Sequence, residues 1–290
     1  MSLSLRHQRT LAGPITIKGR GYWSGLNVQV LLKPANVNTG IVFHRPDLPD
    51  CPALTARVSN RVSCNLRTVL ANGHVRIEMI EHLMAALAGM AVDNCEVWID
   101  RDELPGLDGS AKAYVDEIRR VGVVSQQALR EKLIVTHTIR MGDQHRWVEA
   151  RPCLNRCQLE YHLEFQDCQF IGKQSINIEM TPESFEQQIA SARTFIRESD
   201  ALKLRDSGLC QHVAYADLLV FGANGLIDNE LRFQDECVRH KVLDFYGDLA
   251  LAPFDLVGHF VGFRSGHELH TQLIHRLLQE GRFVEAARAA

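Results

Sequence analysis

Residues 78–90, EMIEHLMAALAGM, decide the fold, because the chain changes here from short strands to a buried helix. The apolar side chains recur at helical spacing between alanines, at Met79, Ile80, Leu83, Met84, Leu87 and Met90. This run predicts a helix that packs inside the protein. Glu81 and His82, near its start, would be costly to bury unless they face a charge. We therefore expect a cation beside this helix.

The residues before this helix predict a hairpin-rich antiparallel sheet. Apolar residues alternate at Val28, Val30 and Leu32, and glycine and asparagine separate the short strands. A strand over 95–99 and a second helix with Ser110 as its N-cap follow. The first half is therefore predicted to be a sheet packed on two helices.

The second half repeats this order of strands and helices. Several strands precede a helix opened by Thr181 and Pro182, and two further helices are predicted over about 233–249 and 267–279. A less regular segment spans about 196–228. These patterns predict an α+β fold with two similar domains, each a sheet packed on two helices.

The domain limits follow from the polar stretch near the middle of the chain. We predict an N-terminal domain over 1–126 and a C-terminal domain over 127–290, with the less regular segment as an insert in the second.

Composition excludes several classes of protein. The chain has 290 residues, 46% of them apolar, and its 32 basic residues are dispersed at a net charge of −3, so we expect no nucleic-acid partner. No stretch approaches the roughly 18 uncharged apolar residues of a membrane span, and the first residues lack the apolar core of a secretory signal. We expect a cytoplasmic protein without a transmembrane segment, whose eight cysteines remain thiols.

The helix predicted over 233–249, FQDECVRHKVLDFYGDL, carries the second set of chemically suggestive residues. His240, Asp244 and Asp248 follow one another at intervals of one turn, so their side chains lie along one face about 6 Å apart. Taken alone, a histidine and an aspartate one turn apart are more often a surface pair. On a largely apolar helix, however, these polar groups need partners.

The two helices together predict a metal site. Neutral imidazole and carboxylate suit zinc, and His82, His240 and Asp244 would leave the fourth tetrahedral position for a water. Glu81 is adjacent to His82, so its side chain points about 100° away around the helix, close to that water without ligating it. This arrangement is typical of a zinc-dependent hydrolase.

Two other segments offer polar groups at the ends of predicted elements. In FRSGHELH, His267 stands at the head of the last helix, which favours an anionic ligand, although a capping or surface role is the ordinary interpretation. In SARTF, Arg193 and Thr194 are placed at the end of a helix, where they can equally be plain C-terminal residues.

The sequence resembles the UDP-3-O-acyl-N-acetylglucosamine deacetylase family of lipid A biosynthesis, from about Gln8 to Gln279. The likeness is carried by QRT, NTGIVFHRPDLP, IEHLMAALAGMAVDN, ELPGLDGSA, SARTF, SGLC, LRFQDECVRHKVLDFYGDL and GFRSGHEL. The resemblance implies two α+β domains with their helices sandwiched between the sheets. It also implies hydrolysis of the N-acetyl group of a UDP-linked, 3-O-acylated glucosamine, with release of acetate.

The resemblance assigns a role to each site residue. It implies one catalytic Zn²⁺, which Fe²⁺ could replace, on His82, His240 and Asp244. It implies a general base at Glu81, an acid or oxyanion stabiliser at His267 and an orienting carboxylate at Asp248. The remaining roles are an oxyanion donor at Thr194 and substrate contacts at Lys241, Phe195 and Arg197.

The sequence departs from the family pattern in three places, all where the family builds its acyl-chain passage. They contain Tyr22 and Trp23, Ile196 and Arg197, and Gln211 and His212. A charged Arg197 could shorten, plug or redirect such a passage. Two alternatives therefore stay open: a deacetylase of a different acylated amino sugar, and a non-catalytic sugar-nucleotide-binding regulator of the same fold.

Overall fold

The computed structural model describes residues 4–284, and its helices follow the apolar periodicity of the sequence. They are α1 (Glu81–Gly89), α2 (Lys112–Val121), α3 (Pro182–Gln188), α4 (Glu198–Asp206), α5 (Glu236–Leu249) and α6 (His267–Glu280). All of α1 except Ala88 is buried, as its apolar sequence predicts. None of the helices described over 4–284 is both long and apolar enough to traverse a bilayer. The predicted cytoplasmic location stays a prediction.

Short strands fill most of the space between these helices. The first half contains β1 (His7–Leu11), β2 (Ile15–Arg20), β3 (Asn27–Pro34), β4 (Ile41–His44), β5 (Ala53–Thr55), β6 (Arg61–Val62), β7 (Val69–Asn72), β8 (Val75–Glu78), β9 (Cys95–Ile99) and β10 (Val123–Leu129). The second half contains β11 (Lys132–Ile134), β12 (Ile139–Gly142), β13 (Trp147–Arg151), β14 (Cys157–Glu164), β15 (Lys173–Glu179), β16 (Phe195–Arg197), β17 (Leu219–Gly222), β18 (Gly225–Leu226), β19 (Asp255–Phe263) and β20 (Arg282–Val284).

Each half has one principal sheet. In the first half the strand order is β2-β3-β9-β4-β5, antiparallel except for the parallel pair β4 and β9. In the second half a seven-stranded mixed sheet forms around β19, which pairs with β11, β13 and β14. This confirms the prediction of an α+β fold with two similar domains.

The helices of the two halves pack against each other between these sheets, and one glycine sets how closely they approach. On α5, a Cβ at Gly247 would lie 2.1 Å from the carbonyl oxygen of Glu81 on α1. Only glycine allows this contact, because any side chain would push the helices apart. The close crossing places the start of α1, with Glu81 and His82, directly on α5.

The predicted insert is more regular than its sequence suggests. Strand β16 pairs in parallel with β17, which pairs with β18, and α4 connects β16 to the rest of this small sheet. The description as less regular therefore holds for 207–218, which contain no helix or strand, and is wrong for the flanking parts of the insert. These strands are two to four residues long, too short for apolar alternation to reveal.

Three other local predictions need correction. Helix α2 begins at Lys112 and its N-cap is Ala111; the Ser110 hydroxyl accepts a hydrogen bond from the Lys112 amide from one position further upstream. Helix α5 begins three residues later than predicted, because a turn closed by Glu236 N and Phe233 O precedes it. Thr194 lies in a loop that leads into β16, not at the end of a helix.

The two halves are joined near the predicted domain limit. Strand β10, which crosses residues 126 and 127, pairs with β1 from the start of the chain. Close by, the guanidinium of Arg6 binds both Asp93 and Asp255, with N–O distances of 2.7–2.8 Å. The limits themselves remain a prediction, and their outer ends at 1–3 and 285–290 lie outside the described residues.

Candidate active site

The crossing of α1 and α5 brings together three side chains that can bind a metal: His82, His240 and Asp244. From Asp244 Oδ1, the Nε2 atom of His240 is 3.3 Å away and that of His82 is 3.7 Å away. Ligand atoms on a tetrahedral zinc are roughly 3.3 Å apart, given bonds of about 2.0 Å. All three side chains are buried, and two imidazoles with one carboxylate fit a catalytic zinc by chemistry and spacing.

Neighbouring groups turn these ligand atoms in the required direction. The Nδ1–H of His240 donates to the carbonyl oxygen of Ala192 at 3.1 Å, which leaves the Nε2 lone pair free for a metal. The ammonium of Lys241 donates to Asp244 Oδ2 at 2.8 Å, so Oδ1 remains available for the same metal. Burial lowers the pKa of His240 to about 4, because it outweighs the attraction of Asp244. The neutral ring is the form that binds metals.

Glu81 lies beside this cluster and is itself buried. Its Oε2 accepts a hydrogen bond from the Thr68 amide at 3.0 Å, which fixes one carboxylate oxygen. Burial raises the pKa of Glu81, although His267 and His82 oppose the rise. A carboxylate with a raised pKa is suited to take and release a proton near neutral pH.

Behind the cluster, Asp248 accepts hydrogen bonds from three directions. The Nδ1 atoms of His267 and His270 are both 2.7 Å from Asp248 Oδ2, and the Thr68 hydroxyl is 2.5 Å from Oδ1. Burial alone would lower the pKa of His267, but Asp248 raises it to about 9. The His267 imidazole is therefore held as a cation at neutral pH.

A second group of potential metal ligands has its ligand atoms within 4.8 Å of one another: Asp248, His267 and His270. Their nitrogen–oxygen contacts of 2.7 Å are shorter than the roughly 3.3 Å between two ligands of one zinc. The Nδ1 atoms of both histidines also contact the same oxygen, Asp248 Oδ2. We therefore interpret these side chains as a hydrogen-bonded network and not as a second metal site.

The other predicted residues lie at the junction with the insert. The Thr194 amide donates to Gly109 O at 2.8 Å, and its carbonyl accepts from the Leu219 amide at 2.9 Å. The ring centroid of Phe195 is 6.4 Å from that of His240. The Arg197 guanidinium binds Asp200, with Nε 2.7 Å from Oδ2.

One cavity of about 910 Å³ connects these groups. Its lining includes every predicted site residue except Asp248, which lies behind His267: Glu81, His82, Thr194, Phe195, Arg197, His240, Lys241, Asp244 and His267. The insert supplies apolar walls, including Leu204, Val213 and Leu218, and elsewhere the lining includes Arg146 and Arg264. The cavity therefore combines a polar reaction centre with apolar surface and exposed cations.

The six residues that depart from the family pattern line the cavity, support the insert, or do both. Tyr22, Trp23, Ile196 and Arg197 line the cavity. His212 instead donates through Nε2 to Gly21 O at 2.7 Å, and Tyr22 donates through its hydroxyl to Asp217 O at 2.6 Å. Gln211 donates to the Arg205 carbonyl, within the insert. His212 and Tyr22 thus join the insert to the turn between β2 and β3.

Four residues at this site were not among the predicted ones: Thr68, His270, Arg146 and Arg264. For His270 a signal existed, since the three-residue spacing from His267 places both rings on one side of a helix. Arg264 lay within the family motif GFRSGHEL but received no role, and Thr68 and Arg146 gave no signal, because the same residue types are common on any surface.

A cluster of two histidines and an aspartate beside a buried glutamate, between two α+β halves, defines the class of a metal-dependent hydrolase. A family described as UDP-3-O-acyl N-acetylglycosamine deacetylase matches residues 8–279. The chain is also similar to UDP-3-O-acyl-N-acetylglucosamine deacetylases of Brucella ovis, Brucella canis and Brucella melitensis. Each is 36% identical over 276 residues, covering 94% of this chain and 96% of the relative. The chain therefore belongs to this deacetylase family, as its sequence motifs predict.

Proposed function

We propose that this protein hydrolyses the N-acetyl group of UDP-3-O-acyl-N-acetylglucosamine in lipid A biosynthesis, giving UDP-3-O-acyl-glucosamine and acetate. The observation that carries the proposal is the single cavity that contains Glu81, His82, His240 and Asp244 together with an apolar insert. The family membership supports the same reaction. A complete water-activating set argues against a regulator that only binds sugar nucleotides, because binding needs no such set.

The cavity suits an amphiphilic, anionic substrate. Apolar side chains of the insert, such as Leu204 and Val213, fit an acyl chain, and burial of each methylene contributes about 0.8 kcal/mol. Arg146 and Arg264, both exposed in the lining, can pair with a diphosphate. Lys241 lines the same cavity and can position polar parts of the sugar.

In the proposed reaction, His82, His240 and Asp244 would hold one Zn²⁺, or Fe²⁺, which fits similar ligands. A bound Zn²⁺ would lower the pKa of a water and polarise the amide carbonyl. Glu81, whose raised pKa reflects its burial, takes a proton from the attacking water.

Attack of the water on the amide carbon gives a tetrahedral species, whose negatively charged oxygen needs a hydrogen-bond donor and whose C–N bond breaks only if an acid protonates the amine. The His267 imidazolium gives a proton to the departing amine, and Asp248 supports its positive charge. The Thr194 hydroxyl, in the cavity lining, donates to the oxyanion, a contact whose loss typically costs about 10²- to 10³-fold in rate.

Acetate release decides the function and the acyl length together. Purified protein, loaded with zinc or stripped by a chelator, is incubated with UDP-3-O-acyl-N-acetylglucosamines of several chain lengths and followed by mass spectrometry. We expect turnover only with metal, and a length preference set by Arg197 and its neighbours. An absence of turnover at every length, with zinc bound, would contradict the proposal. Turnover of another acylated amino sugar in preference would favour the alternative substrate.

The pH dependence should report the His267 cation. Because Asp248 raises the pKa of His267 to about 9, the acid is protonated below that pH, and kcat should fall as pH rises through about 9. Asp248→Asn removes the supporting charge, so the fall should occur at lower pH and kcat should be smaller throughout. Initial rates at saturating substrate between pH 6 and about 10 measure both effects. An unchanged alkaline limb in Asp248→Asn would contradict this role.

A further inference from the structure

We propose that His270 is a positioning residue, which holds the Asp248 carboxylate toward His267. The inference rests on the proposed function, in which His267 is the acid. His270 lies on α6 three residues after His267 and is fully buried, so it cannot contact substrate. Its Nδ1 is 2.7 Å from Asp248 Oδ2, the same oxygen that His267 Nδ1 approaches at 2.7 Å.

The His270 ring is itself fixed by contacts on its other sides. Its Nε2 is 2.9 Å from the Ser265 hydroxyl, and its face stacks on Phe245 with ring centroids 4.3 Å apart. Ser265 is held in turn, since its carbonyl accepts from the Tyr161 hydroxyl at 2.6 Å. With the Ser265 hydroxyl donating to Nε2, the proton of the neutral ring is on Nδ1 and faces Asp248.

Charges around His270 favour this neutral form. The ring has no exposed surface, and burial lowers the pKa of His270 although Asp248 opposes the effect. His267 from the same helix and Lys241 from α5 add positive charge that also disfavours a second imidazolium. A neutral His270 can therefore donate to Asp248 without competing for its negative charge.

The consequence concerns Asp248 during turnover. Its Oδ1 is held by the Thr68 hydroxyl and its Oδ2 by His270, so both oxygens have a neutral donor besides His267. When His267 gives up its proton, its attraction for Asp248 weakens. The two neutral donors then keep the carboxylate in place, ready for the next protonation of His267. A carboxylate free to rotate would lose part of this preorganisation.

Three substitutions separate the two hydrogen bonds of His270. Asparagine places an amide nitrogen where Nδ1 lies and keeps the donor to Asp248, whereas glutamine reaches the position of Nε2, toward Ser265. Phenylalanine keeps the stacking on Phe245 but removes both hydrogen bonds. We expect His270→Asn to retain kcat, and His270→Gln and His270→Phe to lower kcat about 10- to 100-fold at unchanged KM.

Activity-independent measurements accompany the kinetics. All variants should keep the parent's metal content and unfold in one cooperative transition, and His270→Phe should do so at a lower temperature, because it leaves the buried Asp248 and Ser265 without this partner. Proton NMR of the parent should show two downfield imidazole N–H signals, one from each ring bonded to Asp248. His270→Phe should lose one and displace the other.

The outcomes distinguish this inference from the proposed function. An inactive parent would refute the function, and the NMR spectra would then decide the role of His270 alone. Parental kcat in His270→Phe, equal kcat in the Gln and Asn variants, or an undisplaced His267 signal would each overturn the inference.

Discussion

Replacing Glu81 by glutamine is expected to lower kcat by about 10²- to 10⁴-fold while the protein keeps its metal. The amide keeps the size of the side chain and can still accept the Thr68 amide hydrogen bond through its oxygen, but it cannot take a proton. Because Glu81 is not one of the three proposed metal ligands, the metal content measured by elemental analysis should equal that of the parent. Acetate release at saturating substrate measures the loss.

Glu149→Gln provides the matched control. Glu149 is also buried, but it lies on β13, pairs with Arg140 and Arg151, and does not line the cavity. We expect near-parental kcat from this variant. Loss of metal in Glu81→Gln would show that Glu81 is a ligand, and a kcat near the parent's would exclude it as the base.

The sequence singled out His82, His240 and Asp244 as candidate ligands because they lie on two helices with strong periodicity. The uniformly apolar α1 makes Glu81 and His82 conspicuous, and on α5 the one-turn spacing aligns His240 with Asp244. What the sequence could not supply was the contact between the helices. That contact depends on a crossing at Gly247 whose angle no local pattern encodes.

The hydrogen bonds around the cluster were beyond sequence reasoning for a different physical reason. Thr68 is only one of several threonines and lies 180 residues from Asp248, so no spacing connects the two. His270 did have a readable spacing, but an isolated helix does not reveal which face meets a carboxylate. The short strands of the insert likewise form only when β16 and β17 pair across more than 20 residues.

Replacing His240 is expected to have the largest effect of all, because it removes a proposed metal ligand. Its Nε2 lies 3.3 Å from Oδ1 of Asp244, a second proposed ligand. Loss of an outer hydrogen-bonding partner typically costs about 10- to 100-fold in metal affinity, and loss of a direct ligand should exceed that. His240→Asn keeps an amide donor for Ala192 O and removes only the ligand nitrogen, whereas His240→Ala removes both. Both variants should bind little zinc and release no measurable acetate.

His137→Ala is the control for histidine removal, since His137 is exposed and its contacts with Thr136 and Glu280 lie outside the cavity. It should keep parental zinc content, measured by elemental analysis after dialysis, and parental kcat. Retention of stoichiometric zinc by His240→Asn would refute the ligand set of His82, His240 and Asp244. If His240→Asn loses its zinc and still unfolds like the parent, the fold does not depend on the bound metal. The buried crossing of α1 and α5 would then hold the site together without its metal.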